Sequence, residues 1–349
     1  MNLRTFISEL EKHDLLRNIY RQVDWRFEIG SLTRDSSRAL LFHHIKDYPG
    51  HSLLTGGLGS LSRIALALGL PAGTASGKVV RTMKERLKKP LDPIFRNSSS
   101  ALRENRITGS DVDLCRFPVP LWSEVDGGRF IGTWHLNVTK DPFCARRNVG
   151  VYRMQLLSAD EASVSVSPRS HLAMHMNRAE QRGKSLEMAV CIGVDELAVI
   201  AAGAAFPAGV DEYSMAGALA RKPLGLVSCD TVDLEVPADS EIVLEGVLEA
   251  GRRVKDGPYL DYAGIASSNP SAYVFRVHSI MHRNNPVFRG TSVGVAGAED
   301  HQLQSVLARL GLVDFHGSRV RQKMQNVCLR SRFFRLFQMT GRIGSVIHS

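Results

Sequence analysis

The chain has no cysteine pair spaced for zinc or redox chemistry. Cys115, Cys144, Cys191, Cys229 and Cys328 are scattered and odd in number, which excludes a zinc ribbon or a disulfide scaffold and leaves them as reduced, mostly structural residues. An apolar run of about 18 residues is also missing, so no membrane-spanning helix is expected. Met1 to Glu11 carries acids where a secretory leader needs an unbroken apolar stretch, and a cytoplasmic location is the expectation. Acids are absent beyond Asp314, while Arg319, Arg321, Lys323, Arg330, Arg332, Arg335 and Arg342 follow it. Most of the formal charge of +9 therefore belongs to the tail. A second basic stretch holds Lys78, Arg81, Lys84, Arg86, Lys88 and Lys89 against the single acid Glu85. Such stretches are more often solvated helix faces than nucleic-acid surfaces, so a nucleic-acid scaffold acting through residues 317–343 ranks only as a rival reading.

With 349 residues, 44% of them apolar, the chain is long enough for two domains with buried cores. Leu3, Phe6, Ile7, Leu10, Leu15 and Leu16 follow helical spacing behind Asn2, a good N-cap. Strands are predicted at Ala39 to Phe42 and Ser52 to Thr55, and helices from Ser60 to Leu68 and Ala75 to Leu87. Gly56, Gly57 and Gly59 between them could cradle a phosphate but lack the spacing of a nucleotide fingerprint, and a tight turn is the preferred reading. Pro118, Pro120 and the turn Asp126-Gly127-Gly128 mark a boundary near residue 116. Short β-branched runs follow at 137–139, 149–152, 164–167, 189–192, 224–228 and 273–277, as in a mainly β domain. From Glu299 the pattern is helical, with Leu303, Val306, Leu307 and Leu310 on one side and a second helix through Phe333, Phe334 and Phe337. The expected fold class is α+β, divided into 1–115 (α/β), 116–298 (β) and 299–349 (helical and basic). The apolar faces of the last segment should be buried by self-association, making a homo-oligomer.

Chemistry concentrates in about a hundred residues. Asn148, His171 and Glu212 suit a hard or borderline divalent cation, whereas Arg153 with Asp256 and Asp261 suits binding and protonating an organic acid. Asn148 and Arg153 are five apart, which on one strand puts them on opposite faces unless a bulge intervenes. Taken singly, each has a plainer reading: Asn148 as a turn residue, His171 as a core histidine, Asp256-Gly257-Pro258 as an acidic turn.

In order and spacing these residues resemble the UbiD family of reversible decarboxylases. The run from Asn148 to Arg153, then His171, Glu212, and Asp256 with Asp261 follow the family pattern; Asp233 to Gly246, Leu3 to Ile7 and Ala65 to Leu70 also look like family segments. The resemblance implies a split β-barrel related to flavin reductases, carrying prenylated FMN supplied by a flavin prenyltransferase. It implies Mn on Asn148, His171 and Glu212 beside the cofactor phosphate, and a K ion nearby. Thr133, Gly150, Val151, Tyr152, Arg153 and Ser170 match flavin-contacting positions, although Thr133 and Trp134 also read as barrel packing. Arg153 would bridge Asp256 and Asp261, with Asp261 the proton donor and Asp256 tuning it. Asp256 stands where the family commonly has Glu, a side chain shorter by one methylene. Tyr262 is expected to line the pocket for an aromatic or α,β-unsaturated carboxylic acid. Family members continue through a further α/β domain of which residues 299–349 could hold only a remnant. An incomplete, non-catalytic assembly subunit and a flavin reductase-like oxidoreductase are the other rivals.

Overall fold

The computed structural model describes residues 1–96, 100–294 and 298–312. The basic tail, Cys328 and the helix expected through Phe333, Phe334 and Phe337 lie outside the described residues.

The chain opens with α1 (Leu3–Lys12), where the Asn2 side chain accepts from the Thr5 N–H at 2.9 Å and Leu3, Phe6 and Leu10 form the buried stripe. Next come β1 (Leu16–Ile19), α2 (Glu28–Asp35), β2 (Ala39–Phe42), β3 (Ser52–Thr55), α3 (Leu61–Ala67), α4 (Ser76–Leu87), β4 (Ile94–Phe95) and β5 (Asn105–Thr108). The predicted strands and helices of this part are present, except that α1 ends at Lys12 and Leu15 and Leu16, read as part of its helical spacing, lie beyond it, with Leu16 opening β1; α2 and β1 were not anticipated.

Beyond residue 116 the strands are β6 (Phe130–Gly132), β7 (His135–Lys140), β8 (Arg147–Gly150), β9 (Met154–Leu156), β10 (Glu161–Val164), β11 (Leu186–Ile192), β12 (Gly225–Ser228), β13 (Glu235–Pro237), β14 (Ile242–Leu260), β15 (Ala266–His282) and β16 (Val287–Arg289). Helices α5 (His171–Gln181), α6 (Glu196–Ala202) and α7 (Glu212–Ala220) interrupt them, and α8 (Glu299–Leu310) follows. Nine strands form one antiparallel sheet in the order β6-β9-β10-β15-β14-β11-β7-β8, with β5 added to β15. Alternation along β11 builds a core on each face: Met188, Val190 and Ile192 on one, Ala189 and Cys191 on the other. The sheets share strands across residue 116. β16 pairs in parallel with β3 to complete the order β1-β2-β3-β16, β12 pairs in parallel with β4, and β5 pairs with β15.

The stretch after 116 is built on this antiparallel sheet, as expected, with helices among its strands that were not anticipated: α6 is buried along its whole length and α7 along most of it, so neither shows the polar stripe by which an amphipathic helix is read. One expectation is corrected. Leu303, Val306 and Leu307 of α8 do not await a second copy. This chain buries them, with Leu303 and Leu307 set against Gly203 at the end of α6.

Candidate active site

The segment 147–153 does not continue as one strand. β8 ends at Gly150, and Val151, Tyr152 and Arg153 form an extended link into β9. The alternation argument for Asn148 and Arg153 therefore fails: the strand breaks between them. A Cβ on Gly150 would lie 2.5 Å from the Tyr152 ring, so glycine lets that ring fold back over the strand. The Tyr152 N–H donates to Asn137 Oδ1 at 3.1 Å, anchoring the link from inside the sheet.

Asn148 and Glu212 meet near Tyr152, while His171 enters only as the first residue of α5, one position after Ser170. The buried Tyr152 phenol lies close to the side chains of Asn148 and Ser170 and to the Leu172 backbone, and it feels the Glu212 carboxylate. His171 opens α5 behind its N-cap Ser170, and Glu212 opens α7 behind its N-cap Asp211. Glu212 Oε2 accepts from the Val149 N–H at 3.1 Å, which ties the start of α7 to β8. Burial pushes the Glu212 carboxyl up to about 7, partly offset by backbone hydrogen bonds. Asn148 Nδ2 is buried without a partner, an unmet demand next to a buried carboxyl. Among the described residues no three His, Cys, Asp or Glu cluster in metal-holding geometry; this set has two, with an amide as third. An amide oxygen from Asn148 and the Glu212 carboxylate, with His171 opening α5, are donor types that would suit a divalent cation.

Asp256 is fully buried and doubly held. Oδ1 accepts from Arg153 Nε at 2.7 Å and lies 2.5 Å from a terminal guanidinium nitrogen, while Oδ2 accepts from Ser163 Oγ at 2.7 Å. Arg153 also donates to Ser267 Oγ at 3.0 Å, and its guanidinium lies 5.3 Å from the centre of the Tyr259 ring. The expected bridge is formed on one side only. Asp261 does not meet Arg153; its Oδ1 accepts from the N–H groups of Ala263 at 2.9 Å and Ile265 at 3.2 Å, capping a turn at the half-exposed end of the loop. That local hydrogen bonding competes for the carboxylate, which spacing alone does not reveal. Tyr262 follows it and packs edge-on against His301 of α8, the ring centroids 5.3 Å apart.

Thr133 is buried, and its Oγ1 accepts from the Thr291 N–H at 2.9 Å, leaving the hydroxyl proton free to donate. Nearby His135 is buried completely, and burial pushes its imidazole down to about 4, so it is neutral. Sequence reasoning missed Ser163, Ser267 and Gln155, whose side chains hold Arg153, Asp256 and the Gly257 N–H. No motif marks them; they arrive by strand pairing of β10 with β9 and of β15 with β14.

Comparison with known proteins identifies the family and the fold. Residues 94–296 match the family described as 3-octaprenyl-4-hydroxybenzoate carboxy-lyase Rift-related domain, and residues 7–83 match the corresponding N-terminal domain. The chain is 31% identical over 331 residues to a pyrrole-2-carboxylic acid decarboxylase of Pseudomonas aeruginosa, covering 90% of this chain and 66% of that one. It is 30% identical over 309 residues to a phenolic acid decarboxylase of Bacillus subtilis, covering 85% and 65%. The fold superposes on the vanillic acid decarboxylase of Sedimentibacter hydroxybenzoicus in its closed form with a TM-score of 0.84 and 28% identity, covering 88% of this chain and 67% of that one. An evolved dimeric form of the UbiD-class enzyme HmfF from Pelotomaculum thermopropionicum, in complex with prFMN, gives 0.81 and 30%, covering 88% and 70%. The chain thus spans about two thirds of the length of these curated relatives. From the matched domains, the identity to these decarboxylases and the shared fold, the chain belongs to the UbiD family.

Proposed function

We propose that this chain is a decarboxylase of aromatic or α,β-unsaturated carboxylic acids that works with prenylated FMN. The observation that carries the reading is the buried pair of Arg153 and Asp256, locked by Ser163 and Ser267, one short link away from Asn148 and Glu212. That arrangement supports an acid-handling group working beside a cation and phosphate site, the division of labour that such a reaction needs.

Loss of CO2 from an sp2 carbon leaves an electron pair that no side chain can hold, and prenylated FMN, when bound, supplies the electron sink. Asn148, His171 and Glu212 would hold Mn at its phosphate, with K nearby, and Thr133, Gly150, Val151, Tyr152, Arg153 and Ser170 would lie along it. Arg153 keeps a fixed positive charge at the substrate carboxylate, because Asp256 and Ser267 restrict its orientation. Asp261 is assigned the proton that replaces CO2, since it lies at the half-exposed end of the loop where water can return that proton. Tyr262 would line the substrate pocket.

The test is protein made alongside a flavin prenyltransferase and supplied with Mn, with CO2 release followed from pyrrole-2-carboxylate and from a phenolic acid. Turnover of either acid is expected. Asp261→Asn should abolish turnover and substrate H/D exchange while flavin and Mn stay bound, and His171→Ala should lose Mn and flavin together. Full flavin occupancy after chelator treatment would remove the cation assignment, and undiminished exchange in Asp261→Asn would remove the proton donor.

A further inference from the structure

The turn Asp126-Gly127-Gly128, which in the sequence marks only a domain boundary, is built onto the end of β14, which carries Asp256 and leads into the loop that carries Asp261. Asp126 Oδ1 accepts from the Leu260 N–H at 2.8 Å, one residue before Asp261. The Gly127 N–H donates to the Pro258 carbonyl at 2.7 Å. A Cβ on Gly127 would lie 2.6 Å from the Gly257 carbonyl oxygen and 2.6 Å from Pro258 Cδ, so the two backbones touch and only glycine permits it. A Cβ on Gly128 would lie 2.6 Å from Gln155 Nε2, and Gln155 Oε1 in turn accepts from the Gly257 N–H at 2.7 Å. Three successive residues of one turn therefore meet the backbone of 257–260, directly or through Gln155.

This contact has a specific geometric consequence. Asp256 is immobilised by Arg153 and Ser163, whereas among the described residues the Asp261 carboxylate is held only by the turn that it caps itself. The spacing between the two acids is therefore set by the backbone from 257 to 260, and the Leu260 N–H is the last point before Asp261 at which a side chain from elsewhere in the fold grips it. Among the described residues the second Asp126 oxygen has no hydrogen-bond partner, and although the Ser123 backbone also draws on the carboxyl, the Leu260 amide is its strongest hydrogen-bonding partner.

We propose that Asp126 is a positioning residue for the decarboxylase: by accepting from the Leu260 amide it fixes the place of Asp261 relative to Arg153 and Asp256. The assignment rests on the reaction proposed above, but the grip itself can be measured without turnover. An amide oxygen accepts from the same N–H, though more weakly than an ionised carboxylate, so Asp126→Asn should keep the grip and Asp126→Ala should release it.

The experiment is amide hydrogen exchange across 256–263 in the purified full chain, paired with steady-state kinetics of the flavin-loaded enzyme on whichever acid the wild type turns over. In Asp126→Ala the Leu260 amide should lose protection, and kcat should fall by about one to two orders of magnitude, as expected for a displacement on the order of 1 Å, with KM altered far less. Asp126→Asn should restore both protection and kcat to near the wild-type values, a rescue that a general loss of folding could not give. Unchanged Leu260 protection in Asp126→Ala overturns the proposal, and so does Asp126→Asn behaving like Asp126→Ala, which would make the charge and not the acceptor the operative feature. If the wild type turns over no acid, the proposed reaction fails, while the exchange result still decides whether Asp126 holds the loop.

Discussion

At the scale of single residues, the Arg153 and Asp256 pair governs the site. Its two charges are withdrawn from water and repaid by hydrogen bonds from Ser163 and to Ser267. Removing the acid leaves a largely buried guanidinium unpaired, so Asp256→Ala should lower the unfolding free energy by about 3–5 kcal/mol. Ser163→Ala, which deletes one hydrogen bond to a charged group, should cost about 1.5–3 kcal/mol. Denaturant titrations at one pH measure both; equal, small losses would mean that the pair does not organise this region. Asp256→Glu is expected to reduce activity rather than raise it, because the buried site is already filled by contacts of normal length and an added methylene must displace them. A second consequence concerns pH. Burial raises the Asp126 carboxyl from 3.8 to about 6 against the opposing backbone hydrogen bonds of Leu260 and Ser123 and the weaker pull of Arg34 and Arg153, with Tyr259 also within electrostatic reach. The folded protein thus binds this proton more tightly than the unfolded chain, and the associated stability, complete below about pH 4, is lost as pH rises through about 6. Asp126→Asn lacks this loss. Its melting temperature relative to the wild type should climb between pH 4 and 7, and a flat difference would show that Asp126 titrates normally.

At the scale of elements, the long β14 and β15 ribbon carries the acidic loop at its far end and depends on irregularities along its length. The register shifts between Glu245 and Gly246, and again beyond Leu248. A Cβ on Gly246 would lie 1.9 Å from the Arg276 carbonyl oxygen, so the glycine allows the strands to close at the bulge. Gly246→Ala should cost about 1–3 kcal/mol or more, since backbone rather than a flexible side chain must move. Gly73→Ala, with open space around it, should stay within about 0.5 kcal/mol of wild type and serves as the control. Comparable melting temperatures for the two variants would contradict the bulge argument.

At the scale of the whole molecule, sheets and helices from both ends of the chain are pinned on a buried ionic group. Arg289 of β16 pairs with Glu196 of α6 at 2.7 Å and with Glu299 of α8, while Trp134 Nε1 donates to Glu196 at 2.8 Å and the Leu58 N–H donates to Glu299. Burial favours the neutral form of Glu196 and the arginine opposes it. Arg289→Ala would strand two buried carboxyls and should destabilise the protein by about 3–5 kcal/mol, read from global unfolding. Because β16 completes the sheet begun by β1 to β3, the loss should appear in a single transition reporting on residues before and after 116. Separate transitions would show that the two parts unfold independently.

The sequence by itself determined α1 with its Asn2 cap, the strands β2 and β3, the helices α3 and α4, and the α+β class, because local hydrophobic periodicity and capping chemistry are written in neighbouring residues. It also marked Asn148, Arg153, His171, Glu212, Asp256 and Asp261 as one constellation through their order along the chain. It could not mark α6 or α7, whose buried surfaces leave no polar stripe, nor β16 as a partner of β3 more than 230 residues earlier in the chain. Only the tertiary structure decided that Arg153 meets Asp256 and not Asp261, that Ser163 and Ser267 complete the pair, and that Asp126 grips Leu260. The reason is physical: these contacts depend on strand register and on which buried donor lies nearest, and both are set by the packing of segments far apart in sequence.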